Sequence, residues 1–455
     1  MYKHKGFLSI LQFHNARILY HCKKNKMRKL LVFSLFLFVV SFLQVKAQEL
    51  KPLLEKLQGV EVLEKAAVDG YSESYILKVK MPIDHNDESK GYFTQRVFIT
   101  HRSFDAPTVL VTEGYSAEHA KYSWYIEELT TMLNANQIVI EHRFFGKSIP
   151  DNCPWEYLNV RQAAADHHLI ISMLKPLYKG KWVSTGASKG GSTCVYHRAL
   201  YPNDVEATVS YVAPFTVADE DPRCITFLKN VGEDSIRTRI HAFQRAVLKN
   251  REDMKKYIAI DMKTADDTLI MSIDSTLDYM VVEYPFAFFQ YCGNTASIPS
   301  PDAKPTTLYK HLKKIIAPTT YGIHDQQGTG AFFVQAYNEV GYYGYDTTGL
   351  GDLLSIKSGY ISNRILVPRD APVQYNPEML EMVRNYIKTD AKNIIFIYGE
   401  DDPWSATAAV CGDNQNVVFA MDKDNCHNVR IADMPDDLHM KIISMLEEWL
   451  SVDIK

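Results

Sequence analysis

One stretch, Lys181 to Ser192 (KWVSTGASKGGS), constrains the fold of this chain more than any other. Lys181–Thr185 is a short apolar run of strand type. Lys189–Leu200 has helical period and stops before Pro202. Only Gly186-Ala187-Ser188 lies between them, so a strand must turn straight into a helix. Such a turn needs small residues where strand and helix approach, and it strains the backbone of the residue at its apex. Ser188 is that residue. Its hydroxyl is thrust out at a helix N-terminus, where the Lys189 N–H is available to a developing oxyanion. G-x-S-x-G alone recurs by chance; its weight here comes from the strand before it and the helix after it.

The flanking pattern supports a sheet of the matching kind. Tyr75–Met81 and Thr94–His101 alternate as antiparallel strands around the turn Pro82–Asp87. Thr108–Thr112, Gln137–Glu141 and Ala207–Val212 are short buried-strand runs, and Tyr122–Leu133 and Val160–Leu174 have helical period between them. This alternation predicts a mostly parallel, doubly wound α/β sheet. After Pro214 the pattern becomes helical and rich in Tyr, Phe and Met. It returns to strands at Asn393–Tyr398 and Val417–Met421 and closes with a helix over Pro435–Leu450. The expectation is an α/β-hydrolase sheet, residues 48–216 and 386–455, with an inserted helical cap domain over 217–385. The cap is expected at the carboxyl ends of the strands, where open α/β sheets bind ligands.

A serine hydroxyl needs a base, and the base needs an orienting acid. In this fold the chain order is Ser, acid, His. Asp402 follows the strand Ile394–Tyr398 and precedes Pro403; Glu400 and Asp401 compete with it. His427 is the one histidine in the loop after Val417–Met421. Ser188, Asp402 and His427 are therefore the expected catalytic set, with a solvent-exposed loop histidine as the duller alternative for His427. The second oxyanion donor should lie in Glu113-Gly114-Tyr115, as the Tyr115 N–H or its hydroxyl. A carboxylate at Glu113 would oppose an oxyanion unless it pairs with a cation. That cation is either a substrate's free amino terminus or a local base such as Arg143.

Composition adds a compartment. Residues 1–47 take nine of the 50 Lys and Arg and none of the 54 Asp and Glu, so the remainder carries a net charge of −13. An acidic body argues against nucleic acid as the main partner. Lys23–Lys29 is a basic start, Leu30–Leu43 an apolar stretch too short for comfortable spanning, and Val45-Lys46-Ala47 a cleavage pattern. Together they predict a signal peptide over 1–47, with 1–26 a possible upstream extension, and no integral membrane anchor after cleavage. The expected location is secreted or periplasmic. Six cysteines follow the leader, an even number that permits disulfides; Cys411–Cys426 is the expected pair. No CxxC or His-rich cluster calls for a metal, and the chemistry needs no cofactor.

The segments Glu141-His142-Arg143-Phe144-Phe145-Gly146-Lys147-Ser148, Gly186–Gly191 and Asp402-Pro403-Trp404-Ser405, followed by a late His, resemble the Pro-Xaa carboxypeptidase and dipeptidyl peptidase II group of serine peptidases. They are closer to the related secreted bacterial tripeptidyl aminopeptidases. The resemblance covers roughly residues 70–455 and is weak in the helical insert. It implies peptide substrates and release of di- or tripeptides from N-termini through Ser188, His427 and Asp402. Glu113 matches the amino-terminus-binding carboxylate by position only. An esterase or lipase on the same residues, a Pro-specific carboxypeptidase and a non-catalytic binding protein are the competing readings.

Overall fold

The protein is described by a computed structural model over residues 49–357 and 360–454, so the expected leader lies outside the described residues. All elements below belong to one compact unit, which begins at residue 53.

Nine strands form one sheet: β1 (Val60–Glu64), β2 (Glu73–Pro82), β3 (Tyr92–His101), β4 (Thr108–Thr112), β5 (Asn136–Ile140), β6 (Trp182–Ala187), β7 (Ala207–Tyr211) and, late in the chain, two more at Ile394–Gly399 and Val417–Asp422. A separate two-stranded pairing joins β8 (Glu220–Asp221) to β9 (Tyr342–Tyr343). The late strands are thus β10 and β11. Sheet order is β1-β2-β3-β5-β4-β6-β7-β10-β11. The first three strands are antiparallel to their neighbours, and β5, β4, β6, β7, β10 and β11 run parallel. Residues of β4, β5 and β7 are buried throughout, which explains why these runs read as continuous apolar stretches rather than alternating ones. This is the α/β-hydrolase sheet.

The helices that position the elbow are α1 (Glu128–Met132), α2 (Val160–Leu174) and α3 (Lys189–Leu200). Asn159 caps α2 by accepting the Gln162 N–H. The expected helix over Tyr122–Leu133 shrinks to α1. Glu127 is extended, and its N–H donates to the Gln137 side chain from β5. Trp124 stands mostly exposed and stacks on Tyr122, so these rings do not form the buried face that would hold a helix.

Between β7 and β10 the chain is helical: α4 (Pro222–Leu228), α5 (Asp234–Lys249), α6 (Arg251–Thr264), α7 (Ile273–Gln290), α8 (Pro305–Ile315), α9 (Ile323–Gln335) and α10 (Glu378–Thr389). Their apolar side chains, such as Phe243, Tyr284 and Leu380, join one core with Ile394, Phe396 and Tyr398 of β10. Helix α11 (Asp436–Leu450) covers the opposite face with Ile442, Leu446 and Leu450.

The disulfide corrects the sequence expectation. Cys426 bonds to Cys292, 134 residues away and just past the end of α7; Cys411 is free. Cys411 and Cys426 flank β11, so their nearness in sequence does not make them neighbours. Linking residues this far apart restricts the unfolded chain strongly. Cys292→Ser with Cys426→Ser is expected to lower the unfolding free energy by about 2–4 kcal/mol in denaturant titration. Equal stability of variant and parent would contradict a structural role for this bond.

Candidate active site

The site is built at the carboxyl ends of β4, β6, β10 and β11. At the end of β6, Ser188 has φ 56° and ψ −127°, a conformation non-glycine residues rarely adopt. Its N–H donates to the Tyr211 carbonyl of β7, and its own carbonyl accepts the Ser192 N–H of α3. Both neighbours of the turn press on it. A Cβ at Gly186 would lie 2.4 Å from the Gly190 carbonyl oxygen and 2.7 Å from that of Thr112. Only glycine allows this strand and helix to meet so closely.

Asp402 follows β10 and is fully buried. One carboxylate oxygen accepts the Trp404 N–H at 3.1 Å, and the other lies 2.7 Å from His427 Nδ1. A carboxylate only accepts, so Nδ1–H donates and Nε2 is left free to accept. The competing acids are placed elsewhere: Glu400 is exposed, and Asp401 is half-buried, with its carboxyl pushed up by burial and by Glu400 and Asp424. The His427 N–H donates to the Gln290 carbonyl at the end of α7, beside the Cys292–Cys426 bond. Among the described residues no hydrogen bond joins Ser188 Oγ to the imidazole. Contacts of this type commonly tighten only when substrate binds.

Ser188 opens into a pocket walled by Tyr115, Val160, Tyr196, Phe332 and Trp404, with His142, Lys189 and Gln335 supplying its polar atoms. The Gln335 side-chain oxygen is buried and has no hydrogen-bond partner among the described residues. The N–H groups of Lys189 and Tyr115 are likewise without partners there. Two free donors beside a serine suit an oxygen that gains negative charge.

Glu113 is not among the residues lining this pocket. Its carboxylate lies 2.9 Å from His119 Nε2 and accepts the Tyr125 hydroxyl at 3.4 Å. Burial works against charge on His119, but the Glu113 hydrogen bond and charge outweigh it and raise its pKa. The partner of Glu113 is thus a local base, although not the expected one. Arg143 instead makes two 2.7 Å bonds to buried Asp166 and donates to the carbonyls of Pro82, Ile83 and Tyr157. Within the same segment Glu141 receives Arg96, Ser148, and the N–H groups of Ala117 and Lys147. Arg143 and Glu141 therefore tie together the loops on either side of His142, which does line the pocket.

Two residues were not foreseen. His142 shares the pocket lining although its segment reads as structural. Glu283 on α7 is buried, accepts the Tyr343 and Tyr345 hydroxyls, and has its carboxyl pushed by burial up to about 7. A lone Glu inside an apolar helix gives no sign of its tyrosine partners far along the chain. Among the described residues no group of His, Cys, Asp and Glu could hold a metal ion.

The sequence matches the family described as PS-10 peptidase S37 over residues 43–454. It is 32% identical over 364 residues to the prolyl tri/tetrapeptidyl aminopeptidase of Streptomyces mobaraensis, covering 78% of this chain and 75% of that one. Prolyl carboxy peptidase like protein 5 of Caenorhabditis elegans is 30% identical over 222 residues, 44% of this chain and 40% of its own. The lysosomal Pro-X carboxypeptidase of Mus musculus is 30% identical over 125 residues, 25% of each chain.

The His119 pair gives a pH test. Because the folded pKa is raised above the ordinary 6.5, the pair's stabilisation is full below that value. It is lost as pH rises through the folded value. Glu113→Gln should therefore lower Tm at pH 6 and leave it unchanged at pH 9. Tm losses equal at both pH values would contradict the pairing.

Proposed function

The chain belongs to the PS-10 peptidase S37 family and is a serine peptidase, and from that premise we propose an exported aminopeptidase that releases di- or tripeptides through Ser188, His427 and Asp402. The Asp402–His427 hydrogen bond, on the strand ends beside the elbow, carries this reading. His427 Nε2 takes the Ser188 proton as Oγ attacks the scissile carbonyl. The N–H groups of Lys189 and Tyr115 receive the oxyanion, which is the step where fixed donors lower the barrier most. As the tetrahedral species collapses, His427 returns the proton to the leaving amine and an acyl-Ser188 ester remains. Water then repeats the sequence. Asp402 holds the tautomer and offsets the charge that His427 gains.

The apolar wall of Tyr115, Tyr196, Phe332 and Trp404 suits a compact ring or small side chain next to the scissile bond. The Streptomyces relative, named for prolyl tri- and tetrapeptides, supports the same preference here. In this proposal residues 217–385 form the cap that limits substrate length, inserted between the sheet segments 48–216 and 386–455. Export is supported by the basic-then-apolar leader and by the Cys292–Cys426 disulfide, a bond that persists in oxidising compartments. Among the described residues no helix is long and apolar enough to cross a membrane.

A panel of aminoacyl-, dipeptidyl- and tripeptidyl-nitroanilides, each with a free and a blocked amino group, tests the reading. Free di- or tripeptidyl substrates are expected to be cleaved well and blocked ones at least ~10-fold worse. Equal cleavage of both sets would sink the aminopeptidase assignment, and activity on esters alone would favour an esterase. Ser188→Ala is expected to abolish turnover.

A further inference from the structure

Lys189 stands directly after the nucleophile, and its long side chain has no part in the scheme above beyond sharing the pocket lining. It is almost completely buried, an expensive place for an ammonium group. The tip, Nζ, donates to the Gly114 carbonyl at 2.6 Å. It also lies over the ring faces of Phe145 and Tyr115, at 4.8 Å and 5.4 Å from their centroids. The stem is held as tightly. A Cβ on Gly114 would fall 2.6 Å from Lys189 Cβ and 2.8 Å from the Gly190 nitrogen, so the loop after β4 rests directly on the first turn of α3.

A peptide unit is planar and trans, so its C=O and N–H point in opposite directions. Whatever holds the Gly114 carbonyl therefore aims the Tyr115 N–H the other way. That N–H has no partner among the described residues, and Tyr115 and Ser188 line one pocket. Resting on the oxyanion role given to Lys189 and Tyr115 above, we propose that the Lys189 side chain is a positioning residue: by gripping Gly114 O it fixes the direction of the Tyr115 N–H toward the oxygen that becomes negative. One residue would then serve the oxyanion twice, with its own N–H directly and with its side chain through the neighbouring loop.

Burial pushes the Lys189 amine well below the usual lysine range, with the partly buried Glu339 opposing. Burial, with the Lys189 charge adding to it, likewise pushes the His142 imidazole well below its usual range.

The test is Lys189→Met in the full protein, which keeps a long apolar stem and removes the donor. Loss of an oxyanion donor costs about 10²–10³ in kcat, and misaiming one should cost about 10–100-fold. The expected result is that fall in kcat with KM changed less than ~3-fold. Affinity for a peptidyl trifluoromethyl ketone, which forms a tetrahedral adduct on serine, should fall by the same factor. Affinity for the product peptide should hold. A kcat within ~2-fold of the parent, or equal losses for ketone and product, would overturn the proposal. Ser188→Ala run alongside separates the two claims: residual turnover there removes the serine scheme, whereas an inert Ser188→Ala with an unimpaired Lys189→Met removes only the lysine role. If Lys189→Met does not fold, parent protein labelled with ¹⁵Nζ-lysine decides between the outcomes. The Lys189 signal should move on ketone binding and stay in place with product; a signal that ignores the ketone overturns the inference.

Discussion

The structure depends on the close approach of β6 and α3 at Ser188. The serine backbone sits at a positive φ that costs of order 1–3 kcal/mol in an ordinary residue. It persists because bonds on both sides hold it: Ser188 N–H to Tyr211, and Ser192 N–H back to Ser188. The Thr112 hydroxyl on β4 donates to the Gly190 carbonyl and ties the start of α3 to the neighbouring strand. With the elbow held, three strand ends converge on one spot. β4 delivers the Gly114–Tyr115 loop, β10 delivers Asp402, and β11 delivers His427.

The helical segment and the sheet meet at that spot. His427 is bonded through its N–H to the last residue of α7, and the disulfide joins the residue before it, Cys426, to Cys292. Trp404, two residues past Asp402, packs edge-on against Phe286 of α7 and Tyr343 of β9, and it also lines the Ser188 pocket. A displacement of α7 would therefore be felt at the imidazole and at the pocket wall together. Among the described residues Asp402 has no arginine or lysine partner; its carboxylate is met by the Trp404 N–H and the His427 Nδ1–H. Such a carboxylate is stable only while both donors stay in place.

What the sequence reveals here follows from how local the determinants are. The elbow is local: strand, two glycines and helix lie within one stretch, so Ser188 is legible from Lys181–Ser192. The parallel strands are legible because burial on both faces makes them apolar runs. The choice of Asp402 over Asp401 rests on the turn before Pro403, again a local signal. Failures occur where the partner is distant or where a side chain replaces a backbone bond. Cys426 finds Cys292 across 134 residues, and spacing says nothing of it. The helix over Tyr122–Leu133 is cut short because Gln137 takes the Glu127 N–H. Glu113 pairs with His119 only because an intervening turn folds the two together, and Arg143 goes to Asp166 on α2. Glu283 depends on tyrosines 60 and 62 positions further along the chain.

The central claim is that Ser188 becomes covalently acylated. Rapid acid quench during turnover of a tripeptidyl ester, followed by mass spectrometry of the digested protein, reads this directly. The account predicts one peptidyl adduct, on Ser188, that builds within the first turnover and is absent from Ser188→Ala. No adduct at any serine during active turnover, or an adduct on another residue, would contradict it.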